Sequence, residues 1–462
     1  MIRLMKRKHI QHLFWRVGFG ILPEANDTLS KKSKKAIVNQ IFKDSQYVIP
    51  LKIDTSEIDK FLNSDQVMVA ENRKKLQKLS REKTIDLNVS WINRLKHSEA
   101  ILREKMTLFW ANVFVCEDNN VVYIQQFNNT LRQHALGHFG DFVKAISKEA
   151  AMTKYLNTKQ NRKQSPNENF ARELMELFTL GEGHYTEEDI KESARAFTGY
   201  SHNLKGEFVF RNRTHDIGNK TFFGKTGNFT GDDIIDIILE EKQCAKYICE
   251  KVYRYFVNDT INENHVNEMV AVFYGDYDIE KLMRFVLLSD WFYDEENMGS
   301  KIKSPIEFLV GMNTIVPFTF QNKKQLLYLQ KQLGQMLLHP PNVAGWKGGK
   351  SWIDSNTVVL RLKLPSLILN NAYISKAKNN ASDFKETKKA AFKKQYGRFI
   401  KTVANWEVFN TNFDEVTMEA MDEYILNCDI QKEARVYLNT LDKGSKQEYC
   451  IQLMSLPEYQ MC

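Results

Sequence analysis

The chain has 462 residues, 43% of them apolar and 26% charged, which is enough to bury a large core as one extended domain or two and too apolar for a disordered chain. It contains no run of the roughly 18 apolar residues that a membrane-spanning helix needs. Its formal charge of +8 is local: residues 371–401 carry nine Lys or Arg against Asp383 and Glu386, with smaller basic clusters at Lys31–Lys35 and Arg73–Lys83. These clusters lack the arginine and aromatic interleaving of a nucleic-acid groove and read as solvated surface, so no nucleic acid is expected as a partner. Six cysteines without a CxxC spacing fit neither a zinc knuckle nor a redox dithiol, and read as free thiols of a reducing compartment.

The first twenty residues, "MIRLMKRKHIQHLFWRVGFG", are basic but hold neither an apolar stretch nor a small-residue cleavage site. They read as no secretory signal, and the chain as cytoplasmic. Helical periodicity follows at 99–114 and 128–146. In "LREKMTLFW", Leu102, Met106, Phe109 and Trp110 form a core stripe, leaving Arg103 and Glu104 for surface or inter-helix pairs.

Ser165-Pro166-Asn167-Glu168 predicts a capping box, with Pro166 at the first helical position. In the helix that follows, Phe170, Leu174, Leu177 and Phe178 fall in one apolar sector, with Ala171 and Met175 beside it. Glu168, Arg172 and Glu176 lie opposite, and Glu173 at the boundary. Arg172 is four residues from both Glu168 and Glu176, so it can bridge two carboxylates. An arginine so placed lowers a carboxyl pKa, which suits a cation ligand or hydrogen-bond acceptor better than a general acid. A capped helix with an ordinary Glu–Arg–Glu ladder accounts for the same residues.

Thr186 with Asp189, Thr230 with Asp233, and Ser304-Pro305 with Glu307 repeat the capping pattern, while Gly181 and Gly199 stand at helix stops. The short "GEGHYT" turn makes the two flanking helices neighbours, which lets Arg195 approach the acidic face. At 206–223, "GEFVF" and "KTFF" flank the polar loop "RNRTHDIGN" and predict one small inserted β-hairpin. That loop sets His215 beside Asp216, an acid–base or metal-binding pair, or a chance dipeptide. "FFGKTG" is no phosphate loop, because the glycine required at position 219 is Asn219.

Further periodicity runs through 232–257, 265–273, 278–293, 305–316 and 323–338. The Pro/Gly-rich tract "PPNVAGWKGGKSWI" then offers Asn342, Trp346, Lys350 and Trp352 for stacking on sugar rings or a partner, or for a tight turn around buried tryptophans. From 371 the composition shifts. The expected organisation is a helical domain at 1–370, a linker at 371–383 and a small helical segment at 384–462. The fold class is mainly α, a multi-helix orthogonal array with the inserted hairpin.

The segments "HLFWRVGFG", "REKMTLFWANVF", "LRQHALGHFGDF", "PNENFARELMELFTLGEGHYTEEDIKESARAFTGY", "HDIGNKTFFGKTGNF", "KIKSPIEFLVGM" and "PPNVAGWKGGKSWI" occur in that order. Together they closely resemble the bacterial family called domain of unknown function 1800, over residues 9 to 370. The resemblance implies a mostly helical fold and no established activity, and it names no cofactor, whose identity stays open. It also implies a companion that looks like the alkaline phosphatase and sulfatase superfamily, and relatives that are often exported. Relatives often carry histidines where this chain has Ala111 and Val113, so metal binding through those positions does not carry over.

Two readings follow. One is a hydrolase-like enzyme on a polar or polymeric substrate, using Glu168, Arg172, Glu173 and Glu176 with Arg195, His215 and Asp216. The other is a non-catalytic scaffold or assembly partner for the phosphatase-like companion, through the Trp346–Trp352 loop and the basic patches.

Overall fold

The computed structural model describes residues 4–62, 70–370, 400–441 and 444–462. Helices carry most of it, joined by three two-stranded antiparallel sheets, so the mainly helical expectation holds. Among the described residues no helix is long and apolar enough to cross a membrane.

Three helix starts form as the sequence predicts. The Asp189 and Glu307 amides donate to the Thr186 and Ser304 hydroxyls, and the Thr186 and Ser304 amides donate back to the Asp189 and Glu307 carboxylates. The Thr230 amide likewise donates to Asp233 at 2.8 Å. Ser165 is the exception. Its amide turns back to the Arg162 carbonyl at 2.8 Å, and the helix begins at Asn169. Asn167 caps it instead, accepting from the Asn169 amide, while Asn161 Oδ1 holds the Asn167 amide.

The inserted β-structure is present but paired differently. Strand β1 (Tyr200–His202) pairs with β2 (Phe208–Phe210), and β3 (Lys220–Phe222) with β4 (Lys225–Gly227). Two tight local turns win over the single long loop, because a short closure costs less chain entropy. In the first, Asn203 Oδ1 accepts from the Lys205 and Glu207 amides and Gly206 takes φ +85°. In the second, Phe223 and Gly224 both take positive φ, the geometry of a two-residue hairpin turn.

One hydrophobic core runs from Met5 to Tyr459. Residues 400–441 and 444–462 share it and are stitched on by backbone pairing. Strand β5 (Phe318–Phe320) pairs with β6 (Thr402–Ala404), and Lys301 and Cys462 exchange amide and carbonyl bonds. The linker expected at 371–383 lies outside the described residues, as does most of the basic stretch 371–401.

Ion pairs are buried inside this core. Arg132 grips Glu104 through Nε at 2.7 Å and Nη2 at 3.1 Å, making Glu104 an inter-helix partner, one of the two roles left open for it. Lys105 Nζ meets Glu307 Oε1 at 2.5 Å and also donates to the Gly18 carbonyl at 2.9 Å. Burial pushes the Glu307 carboxyl up, but Lys105 and the Ser304 amide outweigh it and hold the group at about 2. Removing one partner strands the other charge in the core. Lys105→Met is therefore expected to lower the unfolding free energy by about 3–5 kcal/mol in urea, and adding Glu307→Gln to recover part of the loss.

Candidate functional site

The residues singled out in the sequence separate into three groups. The helix Asn169–Glu173 runs directly into a six-residue π-turn, Leu174–Thr179. Both the Leu180 and the Gly181 amides donate to the Met175 carbonyl, at 2.8 and 3.0 Å, and Gly181 ends the turn at φ +86°. Phe170, Ala171, Leu174, Met175 and Phe178 are buried as the apolar sector requires, and Leu177 is half-buried.

The first group is an exposed bridge. Arg172 meets Glu168 at 3.3 Å and grips both oxygens of Glu187 at 2.9 Å. Glu176 is not the second rung of this ladder. A π-turn bonds each residue one position further along the chain than an α-turn does, so the four-residue register with Arg172 is lost. Glu187, brought round by the "GEGHYT" turn, takes its place.

The second group is a clamp. Arg195 donates through Nε to Asp216 at 2.8 Å and through Nη1 to Glu192 at 2.8 Å. Asp216 also accepts from the Gly218 amide, and the Arg195 guanidinium holds its carboxyl below the usual range. His215 is buried, with Nδ1 donating to the Thr198 carbonyl at 2.9 Å. It therefore fixes the loop to the end of the 187–196 helix. Glu187 and Arg195 stand eight residues apart on that helix, about 12 Å along its axis. Bridge and clamp are thus separate features and do not form one catalytic cluster.

The third group is Glu173 and Glu176 on the π-turn. Tyr185 donates its hydroxyl to Glu176 Oε2 at 2.9 Å. Tyr247, from the helix Lys242–Phe256, donates to the Glu176 carbonyl at 3.0 Å and the Leu177 carbonyl at 3.3 Å. Glu173 is half-buried; burial raises its carboxyl, the Glu176 charge raises it further, and Arg172 offsets part of this. Glu173 and Glu117 both act on Tyr155, whose hydroxyl is raised first by burial. Glu117 in turn pairs with His339 Nδ1 at 2.8 Å. Sequence reasoning missed Tyr155, Tyr185, Tyr247, Glu117 and His339, because no spacing ties them to the motif.

The Pro/Gly tract folds inward. Trp346 and Trp352 are only 7% and 8% exposed, so neither indole face is open for stacking. Asn112 pairs with Trp346 twice, Oδ1 accepting its amide at 2.7 Å and Nδ2 donating to its carbonyl at 2.9 Å. Asn342 closes its own turn by accepting from the Ala344 amide, and Lys350 is exposed. Gly349 runs so close to Asp259 that a Cβ would lie 3.0 Å from the carboxylate. Among the described residues, no group of three His, Cys, Asp or Glu side chains is arranged to hold a metal ion. Ala111 lines a small apolar cavity with Trp91, Phe127 and Leu338.

Bridge and clamp carry different weights. Arg172→Ala is expected to move the melting temperature by about 1 °C or less, since its partners face water. Arg195→Met is expected to cost about 1–2 kcal/mol in urea unfolding, because it frees the more enclosed Asp216.

No curated protein and no solved structure matches the chain. A family model described as a protein of unknown function, DUF1800, matches residues 12–461, and the chain belongs to that family.

Proposed function

We propose that the chain is an acid–base enzyme of hydrolase type, acting on a polar or polymeric substrate at the π-turn. The observation that carries this reading is the half-buried Glu173 carboxyl, raised by burial and by a second carboxylate three residues on. Two neighbouring carboxyls of which one is raised above the usual range can divide the work of hydrolysis between them. Glu173 protonates the leaving group. Glu176, oriented by the Tyr185 hydroxyl, takes the proton of the attacking water. π-Turns occur preferentially at functional sites, which supports the same location.

Glu168, Arg172, Arg195, His215 and Asp216 then act as positioning residues, fixing the π-turn against the 187–196 helix and the β-structure. The scaffold reading loses its tryptophan anchors, because Trp346 and Trp352 are buried.

A panel of p-nitrophenyl esters, glycosides and phosphate monoesters tests the proposal. For whichever class is turned over, Glu173→Gln is expected to lower kcat by about 10²–10⁴-fold with an unchanged melting temperature. The wild-type rate should fall as pH rises through the raised Glu173 pKa, and the variant should lack that limb. A panel with no hydrolysis, or a variant at full rate, overturns it.

A further inference from the structure

The face of the 242–256 helix that reaches the π-turn carries a second, different feature. Lys251 stands four residues beyond Tyr247, a spacing that places both side chains on one face. Its ammonium lies 4.6 Å from the centre of the Tyr247 ring. The hydroxyl of the same ring binds the carbonyls of Glu176 and Leu177. One phenol therefore joins the lysine to the acidic turn.

Lys251 is half-buried, and burial, then the neighbouring Arg254, brings its pKa down to about 8. Among the described residues neither Lys251 nor Arg254 has a carboxylate partner, and Arg254 is exposed. Three other enclosed lysines are bonded to oxygens of the protein: Lys105 to Glu307, Lys301 to Asp259, and Lys303 to the Tyr459 carbonyl. A partly desolvated ammonium facing an aromatic ring, with a guanidinium one turn on and no counter-ion, is arranged to receive an anion.

We propose that Lys251 and Arg254 form an oxyanion-binding subsite for a substrate with an acidic group: phosphate, sulfate or carboxylate. The inference rests on the acid–base reading of the π-turn for its place in catalysis, though not for the binding itself. Glu176, charged, repels an anion, so the acidic group has to sit away from the bond that is cleaved. The Tyr247 ring sets that offset, with its hydroxyl end on the π-turn and its face toward Lys251. The subsite thus selects an extended acidic substrate and holds it by its charged group while Glu173 meets the reactive bond.

Calorimetric titration of the full chain at pH 7 with inorganic phosphate, sulfate and acetate tests this and distinguishes the three acid types. At least one anion should bind saturably. Lys251→Met, which keeps the aliphatic stem against Tyr247, should weaken that binding by about tenfold or more, and Arg254→Gln should weaken it less. The melting temperature of each variant serves as the folding control. Glu173→Gln should leave anion binding as strong as in the wild type even where it abolishes hydrolysis, so the two proposals fail separately. Absence of saturable binding for all three anions, or wild-type affinity in a folded Lys251→Met protein, overturns the subsite.

Discussion

The buried pair of Lys105 and Glu307 is the constraint on which the arrangement of the chain depends. Glu307 has two tasks, closing the N-terminus of its own helix through the Ser304 amide and neutralising Lys105. Lys105 in turn donates to the carbonyls of Trp15 and Gly18, so the first helix is bound to the same point. Around them, Lys303 donates to the Tyr459 carbonyl at 2.6 Å, with its ammonium between the Trp15 and Tyr459 rings. Arg361 spans Gln460 and the Lys303 carbonyl. Charges this deep are tolerated only when every one of them is bonded, which ties distant parts of the sequence to one geometry.

That geometry reaches the candidate site through one helix. The Lys105 ammonium lies 5.9 Å from the centre of the Tyr255 ring, and Tyr255 packs on Phe109 with ring centres 5.1 Å apart. Tyr255, Lys251 and Tyr247 follow each other at four-residue steps, so fixing the first sets the direction of the other two. Tyr247 and Gln243 then bond the carbonyls of Glu176, Leu177 and Leu180, which the widened turn leaves open. A π-turn is rare because its bonding is less favourable than the α form, and here outside donors compensate it. The π-turn is therefore held by the core and not by its own sequence.

This division explains what the sequence discloses. Thr186, Thr230 and Ser304 are legible as helix starts because a cap is a contact between residues three apart. Gly181 and Gly199 are legible as stops because positive φ favours glycine, and both adopt it. Ser165 misleads because Asn161 and Asn167, with better-placed amides, take over the cap. The π-turn escapes periodicity altogether, since its phase shift looks like an ordinary helix in a 100° projection. Burial of Trp346 depends on Asn112, 234 positions away. No window on the sequence contains both.

The three glutamates of the signature helix carry the argument to its end. Glu168, Glu173 and Glu176 are chemically identical and stand within nine residues of one another. Glu168 shares an exposed arginine, Glu176 takes a phenol hydroxyl, and Glu173 lies half-buried with a like charge beside it. Desolvation and a neighbouring carboxylate both raise a carboxyl above its usual range, and of the three this environment belongs to Glu173. The proton-donor role proposed for Glu173 rests on those surroundings, and the turn that carries them is held by the 242–256 helix and the buried pair behind it.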